Sequence, residues 1–377
     1  MRPVWVVDAA VVTALGADVE TLWAELLAGR TGIRAVERFP IRSYGSRVAA
    51  LVADLSAAPG RSLVHDLLER LLSRLAPLPA DAELLTASTK GGIDCLEPLA
   101  RGELAERSDL LFPSLLDEVS SRLGLGGEAA NVNAACASST IALARAAGRI
   151  ACGTAEEVLV VGFDLVTEFV FSGFSALKAL STEPCRPFDR GRTGLSLGEG
   201  AVALRLTSEE RARRDGRPCL GTIAGWGVAN DATHITAPAR DGSGLILAVR
   251  RALAVAGIGP EAVAAVSAHG TGTVYNDAME LVAFREVFGD RPVPVHSLKG
   301  ALGHTMGAAG GLEAVVCLKA LREQRAPPTA GLRDPEPAAQ GQVAAEAVPF
   351  SGSFLLSTNS GFGGINAALV LGHRGAA

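Results

Sequence analysis

No stretch of about 18 consecutive apolar residues occurs in the 377-residue chain, so no membrane-spanning helix is expected. Nor is there an excess of positive charge. Lys and Arg total 35 against 40 Asp and Glu, a formal net charge of −5, which argues against a nucleic-acid binder. Paired cysteine spacings are missing too. The six cysteines, at 95, 136, 152, 185, 219 and 317, lie far apart, and none forms a C-x-x-C or Cys/His ligand pattern. That argues against a spaced zinc site and a disulfide framework, and it fits a reducing cytoplasm. Aromatic residues make up only 5% of the chain. With Ala and Gly abundant, the backbone is expected to pack closely around small side chains. The opening "MRPVWVVDAAVV" enters a strand-like run without a small-residue cleavage site, so no signal peptide is expected.

What is present is an alternation. Short apolar runs, such as "VWVVDAAVV" (4–12), "VLVVG" (158–162) and "VAAVSAHG" (263–270), read as strands. Between them lie helical stretches such as "VETLWAELLAG" (19–29), closed by Gly29. Strands separated by helices predict an α/β protein with parallel pairing. The order of features also repeats loosely. "NAACASSTIALARAAGRIACG" (133–153) and "ALGHTMGAAGGLEAVVCLKAL" (301–321) both enter a small-residue helix. Each half is expected to close on a hairpin, at "GEGAVALRL…LGTIAGWGV" and at "FLLSTNSGFGGINAALVL". The boundary falls near "SEERARRDGR" (208–217), a solvated surface turn on this reading, and residues 40–130 read as an insertion.

Four segments carry candidate chemistry. In "VNAACASST" (132–140), Cys136 stands at the start of a helix among Ala and Ser residues. A free cysteine in such surroundings is commonly core. The positive end of a helix would instead favour thiolate, and small neighbours leave room for an acyl chain. In "AHGTGTVYNDAMEL" (268–281), a strand ends at His269. Two glycines and two threonines, Thr271 and Thr273, line the turn, and Asp277 and Glu280 share one face of the next helix. In "HSLKGALGHTMGAAGG" (296–311), Lys299 and His304 precede a small-residue helix, while in "NSGFGGIN" (359–366) three glycines surround Phe362. The match of "GLSLG" (194–198) to a serine-nucleophile elbow is set aside, because a strand follows it instead of a helix. One cysteine, two histidines, a lysine and a Gly-rich loop, all at strand ends, form a coherent set for thioester chemistry.

"ACASS", "CRPFDRGRTGLSLGEGA" (185–201), "HGTGTVYND", "LKGALGHTMGAAG" and "GFGGIN", in this order, resemble the β-ketoacyl-ACP synthases. These are the condensing enzymes of fatty-acid and type II polyketide synthesis, and the likeness spans first strand to last. The resemblance implies a thiolase-like α/β fold, two similar βαβαβαββ halves in five αβαβα layers. The halves would be residues 1–210, carrying the cysteine and an insertion at about 40–130, and 211–377, carrying the histidines, the lysine and the GFGG loop. It implies Cys136 as nucleophile, His269 and His304 as the two histidines, Lys299 as the lysine and Glu280 as the supporting glutamate, with Lys299 and Glu280 holding the imidazole tautomers. The N–H groups of Cys136 and Phe362 would form the oxyanion hole. Thr271 and Thr273 would bind phosphopantetheine, and Phe362 would gate the acyl pocket.

No metal or redox cofactor is implied, since substrates ride on the phosphopantetheine arm of an acyl carrier protein. That carrier is the expected partner, with Arg190 and Arg192 as candidate contacts, alongside a homodimer or a heterodimer with a chain-length-factor-like relative. The retained Cys136 separates the chain from chain-length factors, which lack the nucleophile, and His269 with His304 places it with the elongating class. A largely structural subunit remains the alternative. A degradative thiolase is disfavoured, because none of the six cysteines lies near "GFGG".

Overall fold

The computed structural model describes residues 1–373. Ten strands build its main sheet. They are β1 (Val4–Thr13), β2 (Glu83–Ala87), β3 (Ala129–Asn131), β4 (Glu157–Asp164), β5 (Gly200–Ser208), β6 (Gly221–Asn230), β7 (Val263–Ser267), β8 (Val295–His296), β9 (Phe354–Gly361) and β10 (Ile365–Gly372). The order is β8-β7-β9-β10-β6-β1-β5-β4-β2-β3. Between β6 and β1 the pairing is minimal, Trp5 with Thr222 and Val6 with Gly221. Either side of that seam lie five strands in the same internal order, third-second-fourth-fifth-first. The senses repeat as well. In each set the third and fourth strands run parallel to the second, while the fifth is antiparallel to the fourth and to the first.

Burial explains the layers. All eight residues of β4 are buried, as required of a strand covered on both faces. Helices α4 (Ser138–Ala151) and α8 (Ala309–Glu323) fill the middle layer. Their small residues let them touch: a Cβ added at Gly310 would fall 1.8 Å from Thr140 Oγ1, and one at Gly311 2.5 Å from Val202 of β5. This is where the Gly- and Ala-rich composition acts. The central core combines these helices with the inner faces of both sheet halves and α1 (Val19–Leu27). One outer layer is α2 (Val64–Leu72) and α3 (Phe112–Leu123) against β1, β4 and β5. The other is α6 (Ser243–Ala256) and α7 (Val274–Phe288) against β7, β9 and β10. Helix α5 (Glu168–Ala176) follows β4 and stands at the site described below. The result is the five-layered α/β arrangement. Among the described residues no helix is long and apolar enough to cross a membrane.

Three expectations change. Residues 40–130 are not a plain insertion, since they supply β2 and β3. The segments 198–206 and 220–228 form no hairpin, because β1 lies between β5 and β6; only β9 and β10 do, from Phe354–Gly372 to Gly361–Ile365. The Arg/Glu-rich segment is a short helix, Glu209–Arg214. Arg211 and Arg217 on and after it reach inward to the buried carboxylate of Glu157.

Candidate active site

Parallel strands bring their C-terminal ends to one edge, the usual place for a site in such sheets. Cys136 follows β3, His269 follows β7, His304 follows β8 and Phe362 follows β9. Cys136 lies in a tight turn just before α4. Ala135 takes a φ of +48°, a left-handed conformation costly for a residue with a Cβ. Ser138 braces the turn: its hydroxyl donates to Ala135 O at 2.6 Å and accepts the Ala134 N–H at 2.9 Å. Gly361 lets the β9–β10 loop come close, for a Cβ there would sit 3.3 Å from the Cys136 nitrogen. The Phe362 N–H faces the Cys136 sulfur and favours its thiolate. A backbone donor beside the sulfur is the kind of group an oxyanion hole uses.

The two imidazoles meet the thiol. His304 Nε2 is 2.8 Å from Cys136 Sγ. The rings of His269 and His304 stand nearly perpendicular, at 87°, with centroids 5.2 Å apart. One nitrogen of each and the sulfur lie within 4.8 Å of one another. The neighbours assign the protons. The Met306 N–H donates to His304 Nδ1 at 3.3 Å, and the Asn359 amide donates to His269 Nδ1 at 3.3 Å. Both rings therefore carry their proton on Nε2. Burial first, and then the charge of Lys299, holds both pKa values well below the ordinary 6.5, so both are neutral donors at pH 7. Condensation by acyl-loaded protein should accordingly show no step with a midpoint near 6.5, measured as single-turnover rate between about pH 5.5 and 8. A Cys/His/His set of this size could also hold zinc. A ligating Nε2 needs a free lone pair, though, and the donors at both Nδ1 atoms place the proton there instead.

The thiol departs from expectation. Burial pushes it up to about 11, against the pull of Lys299, Lys90 and the Phe362 N–H. Helix α4 starts at Ser138, so Cys136 lies outside its first turn and desolvation outweighs the dipole.

Lys299 and Glu280 also act differently from the expected tautomer holders. Lys299, 2% exposed, donates to Glu313 at 2.7 Å and hydrogen-bonds neither ring. Glu313 also accepts from the Asn359 amide at 2.7 Å, and Asn359 in turn donates to His269. The orienting chain is therefore Lys299–Glu313–Asn359–His269. Glu280 accepts the backbone N–H groups of His269 at 2.7 Å and Gly270 at 2.6 Å, fixing the loop and leaving the ring alone. Burial, then the nearby Asp277, pushes its pKa up to about 8. Glu313 and Asn359 were missed in the sequence. A signal existed for Glu313, the sole charge among residues 309–318 of a wholly buried stretch. Glu313→Ala should cost about 3–5 kcal/mol in urea unfolding, because it strands a buried ammonium.

The other expected residues fall as follows. Thr271 and Thr273 bond each other, oxygen to oxygen, at 2.9 Å. With Cys136, both histidines and Phe362 they line a cavity of about 380 Å³. Phe362 stacks on Phe174 of α5, centroids 5.9 Å apart, and both line this cavity. Its outer end is formed by the exposed Leu177, Val274 and Tyr275, so a channel joins the thiol to the surface. Arg192 is not a surface contact. It is buried, pairs with Glu336 and donates to the carbonyls of Thr273 and Val274, both at 3.2 Å, pinning the threonine loop. Arg190 is exposed, 3.4 Å from Asp334. The basic residues at the mouth are instead Lys178, which lines the cavity, and Arg240, stacked over Tyr275 at 5.9 Å.

A buried thiol with two neutral imidazole donors and a backbone N–H beside it, reached by a channel lined with hydroxyls, defines a thiol-dependent acyl-transfer enzyme. Similarity narrows the class. Residues 117–212 match the β-ketoacyl synthase N-terminal domain and residues 220–333 the β-ketoacyl synthase C-terminal domain. Nodulation protein E of Rhizobium meliloti (strain 1021) is 33% identical, over 94% of this chain and 95% of its own. The 3-oxoacyl-[acyl-carrier-protein] synthase 2 of Coxiella burnetii is 31% identical over 98% of both chains. In solved structures, the ishigamide ketosynthase/chain length factor superposes with a TM-score of 0.91 at 30% identity, covering 99% of this chain and all of that one. The chain belongs to the β-ketoacyl synthase family of condensing enzymes.

Proposed function

We propose that the protein is a 3-oxoacyl-[acyl-carrier-protein] synthase of the elongating class. The observation that carries this reading is the meeting of Cys136 sulfur with His269 and His304 within 4.8 Å at the foot of an open channel. Thiolate at Cys136 attacks the acyl thioester on the carrier, and the carrier's thiol leaves with the cysteine's proton. The tetrahedral oxyanion sits between the N–H groups of Cys136 and Phe362. The acyl group now rests on sulfur, splitting one exchange into two steps. Malonyl-carrier then enters along the threonines. Its carboxylate departs as carbon dioxide, leaving its bonding electrons in an enolate. The two Nε2–H groups stabilise the enolate oxygen. The enolate carbon attacks the acyl-cysteine carbonyl, expels the Cys136 thiolate and yields a β-ketoacyl chain two carbons longer. The steps balance without a metal or redox group. The decisive assay mixes acyl-carrier with malonyl-carrier and reads the product by mass spectrometry; a product without the two-carbon extension overturns the reading.

A carrier protein is acidic as a class, and a basic mouth suits it. Lys178 and Arg240 are therefore the contacts favoured here in place of Arg190 and Arg192. Reversing both charges, Lys178→Glu with Arg240→Glu, should lower kcat/KM for carrier-bound substrate at least about tenfold at low salt and weaken its salt dependence. Turnover of a short free thioester should stay unchanged. The partner chain is a second copy or a chain-length-factor-like relative, with β3 at one end of the sheet, and the setting is cytoplasmic. Among pathways, type II polyketide or polyene synthesis is favoured over housekeeping fatty-acid synthesis by the "GLSLGEGA" segment.

A further inference from the structure

Beside the catalytic set lies a cation that the mechanism above leaves unused. Lys90 follows β2 in the loop "ASTKGGID". The loop wraps the carboxylate of Asp164, at the end of β4. Ser88 Oγ donates to it at 2.9 Å, Thr89 donates through N–H at 3.1 Å and through Oγ1 at 2.8 Å, the Lys90 N–H at 3.3 Å and the Gly307 N–H at 2.7 Å. Those donors satisfy the buried carboxylate without the lysine's side chain. The Lys90 ammonium turns elsewhere. It donates to Thr89 Oγ1 at 2.9 Å and to Met306 Sδ at 3.8 Å, both neutral groups. Met306, held at a φ of +50°, is the residue whose N–H fixes His304 Nδ1. A continuous set of contacts thus runs from Lys90 through Met306 and His304 to Cys136 Sγ.

The other cation, Lys299, is bound directly by Glu313 at 2.7 Å, and it still favours the thiolate more than Lys90 does. Lys90 has no carboxylate on its ammonium among the described residues. Around Cys136 the charged and titratable neighbours are Lys299 from the turn after β8, Lys90 from the loop after β2, Asp164 from β4, and the two neutral histidines. Of these, Lys90 alone supplies a positive charge without a carboxylate bonded to it.

We propose that Lys90 is a positioning residue for the transfer step, a second cation that favours thiolate at Cys136 and holds Met306 against His304. The proposal rests on Cys136 being the nucleophile. The thiol's rise to about 11, opposed by Lys90, is in keeping with it.

The test is alkylation of Cys136 in the full-length protein, followed by peptide mass spectrometry across a pH series. Iodoacetamide serves as the neutral reagent and iodoacetate as the anionic one. Lys90→Met should move the alkylation midpoint up by about one pH unit and lower the iodoacetate-to-iodoacetamide rate ratio severalfold. Lys90→Arg should restore both, which a merely structural role would not do. Melting curves of the two variants check folding, and a Lys90→Gln variant repeats the measurement should Lys90→Met not fold. An unmoved midpoint and ratio in folded Lys90→Met or Lys90→Gln overturn the proposal and leave the nucleophile standing. Absence of alkylation at Cys136 in the unaltered protein would instead overturn both readings.

Discussion

Cys136→Ala leaves the protein with no acyl adduct. Incubated with acyl-carrier and weighed intact, the unaltered chain gains the mass of one acyl group, and the variant gains none. The expectation is close to all-or-none because no second thiol among the described residues lines the channel; Cys185, buried, donates to the Lys299 carbonyl at 3.1 Å, and Cys317 is buried on α8 with its pKa pushed up by desolvation. Condensation from acyl-carrier should fall by at least about a thousandfold, the scale set by losing the covalent partner of a concerted site. Decarboxylation of malonyl-carrier need not fall with it, since the two Nε2–H donors and the channel remain. Alanine is nearly the size of cysteine, so little stability is at stake: one sulfur leaves a turn that Ser138 still braces. A variant that folds, by its melting curve, yet still takes up an acyl group would remove Cys136 from its role.

The sequence showed the site where chemistry and local chain geometry coincide. His269, His304 and Phe362 each stand beside a glycine, and Cys136 among alanines and serines before a helix, and that pattern is readable because strand, turn and helix entry are all local. It could not show how the residues pair. Glu313 and Asn359 are 46 positions apart, and Asn359 and His269 are 90 apart; nothing near any of them in the chain announces the contact. Lys299 looked like a partner for a histidine because both lie within one loop, but the turn Lys299–Leu302 aims its ammonium at α8 instead. The thiol misled for a different reason. Its place before a helix suggested activation, while its burial, a tertiary property, sets the larger effect. Among the strands, β2 and β3 were hidden within residues 40–130. "ELLTA" has helix-favouring residues and "AAN" has too few positions to show a period. Both become strands because β4, unambiguous in the sequence, offers β2 an edge, and β2 offers one to β3.

His304→Ala separates the two halves of the reaction. Loading needs thiolate and the amide pocket. The pocket's N–H groups belong to the backbone of Cys136 and Phe362 and survive the change. His304 contributes to that step only a hydrogen bond from Nε2 to the sulfur, at 2.8 Å. Its Nε2 already carries a proton, because Nδ1 accepts from Met306, so the ring cannot take the thiol's proton as a base through that nitrogen. Loading should therefore slow by less than about tenfold, the scale of one modest hydrogen bond. Condensation is different. Loss of carbon dioxide from the malonyl group places a full negative charge on one oxygen, in a site from which water is mostly excluded. Two neutral donors meet that charge, and removing one should cost about 3 kcal/mol, or 100- to 1,000-fold. His269 cannot compensate, because Asn359, held by Glu313, fixes its ring. Single-turnover measurements would resolve the split, with acyl-enzyme mass for the first step and product mass for the second. His304→Gln would be a useful companion, since its amide restores a donor of similar reach and should recover part of the condensation rate. Loading and condensation falling together by the same large factor would mean that His304 serves the sulfur rather than the enolate.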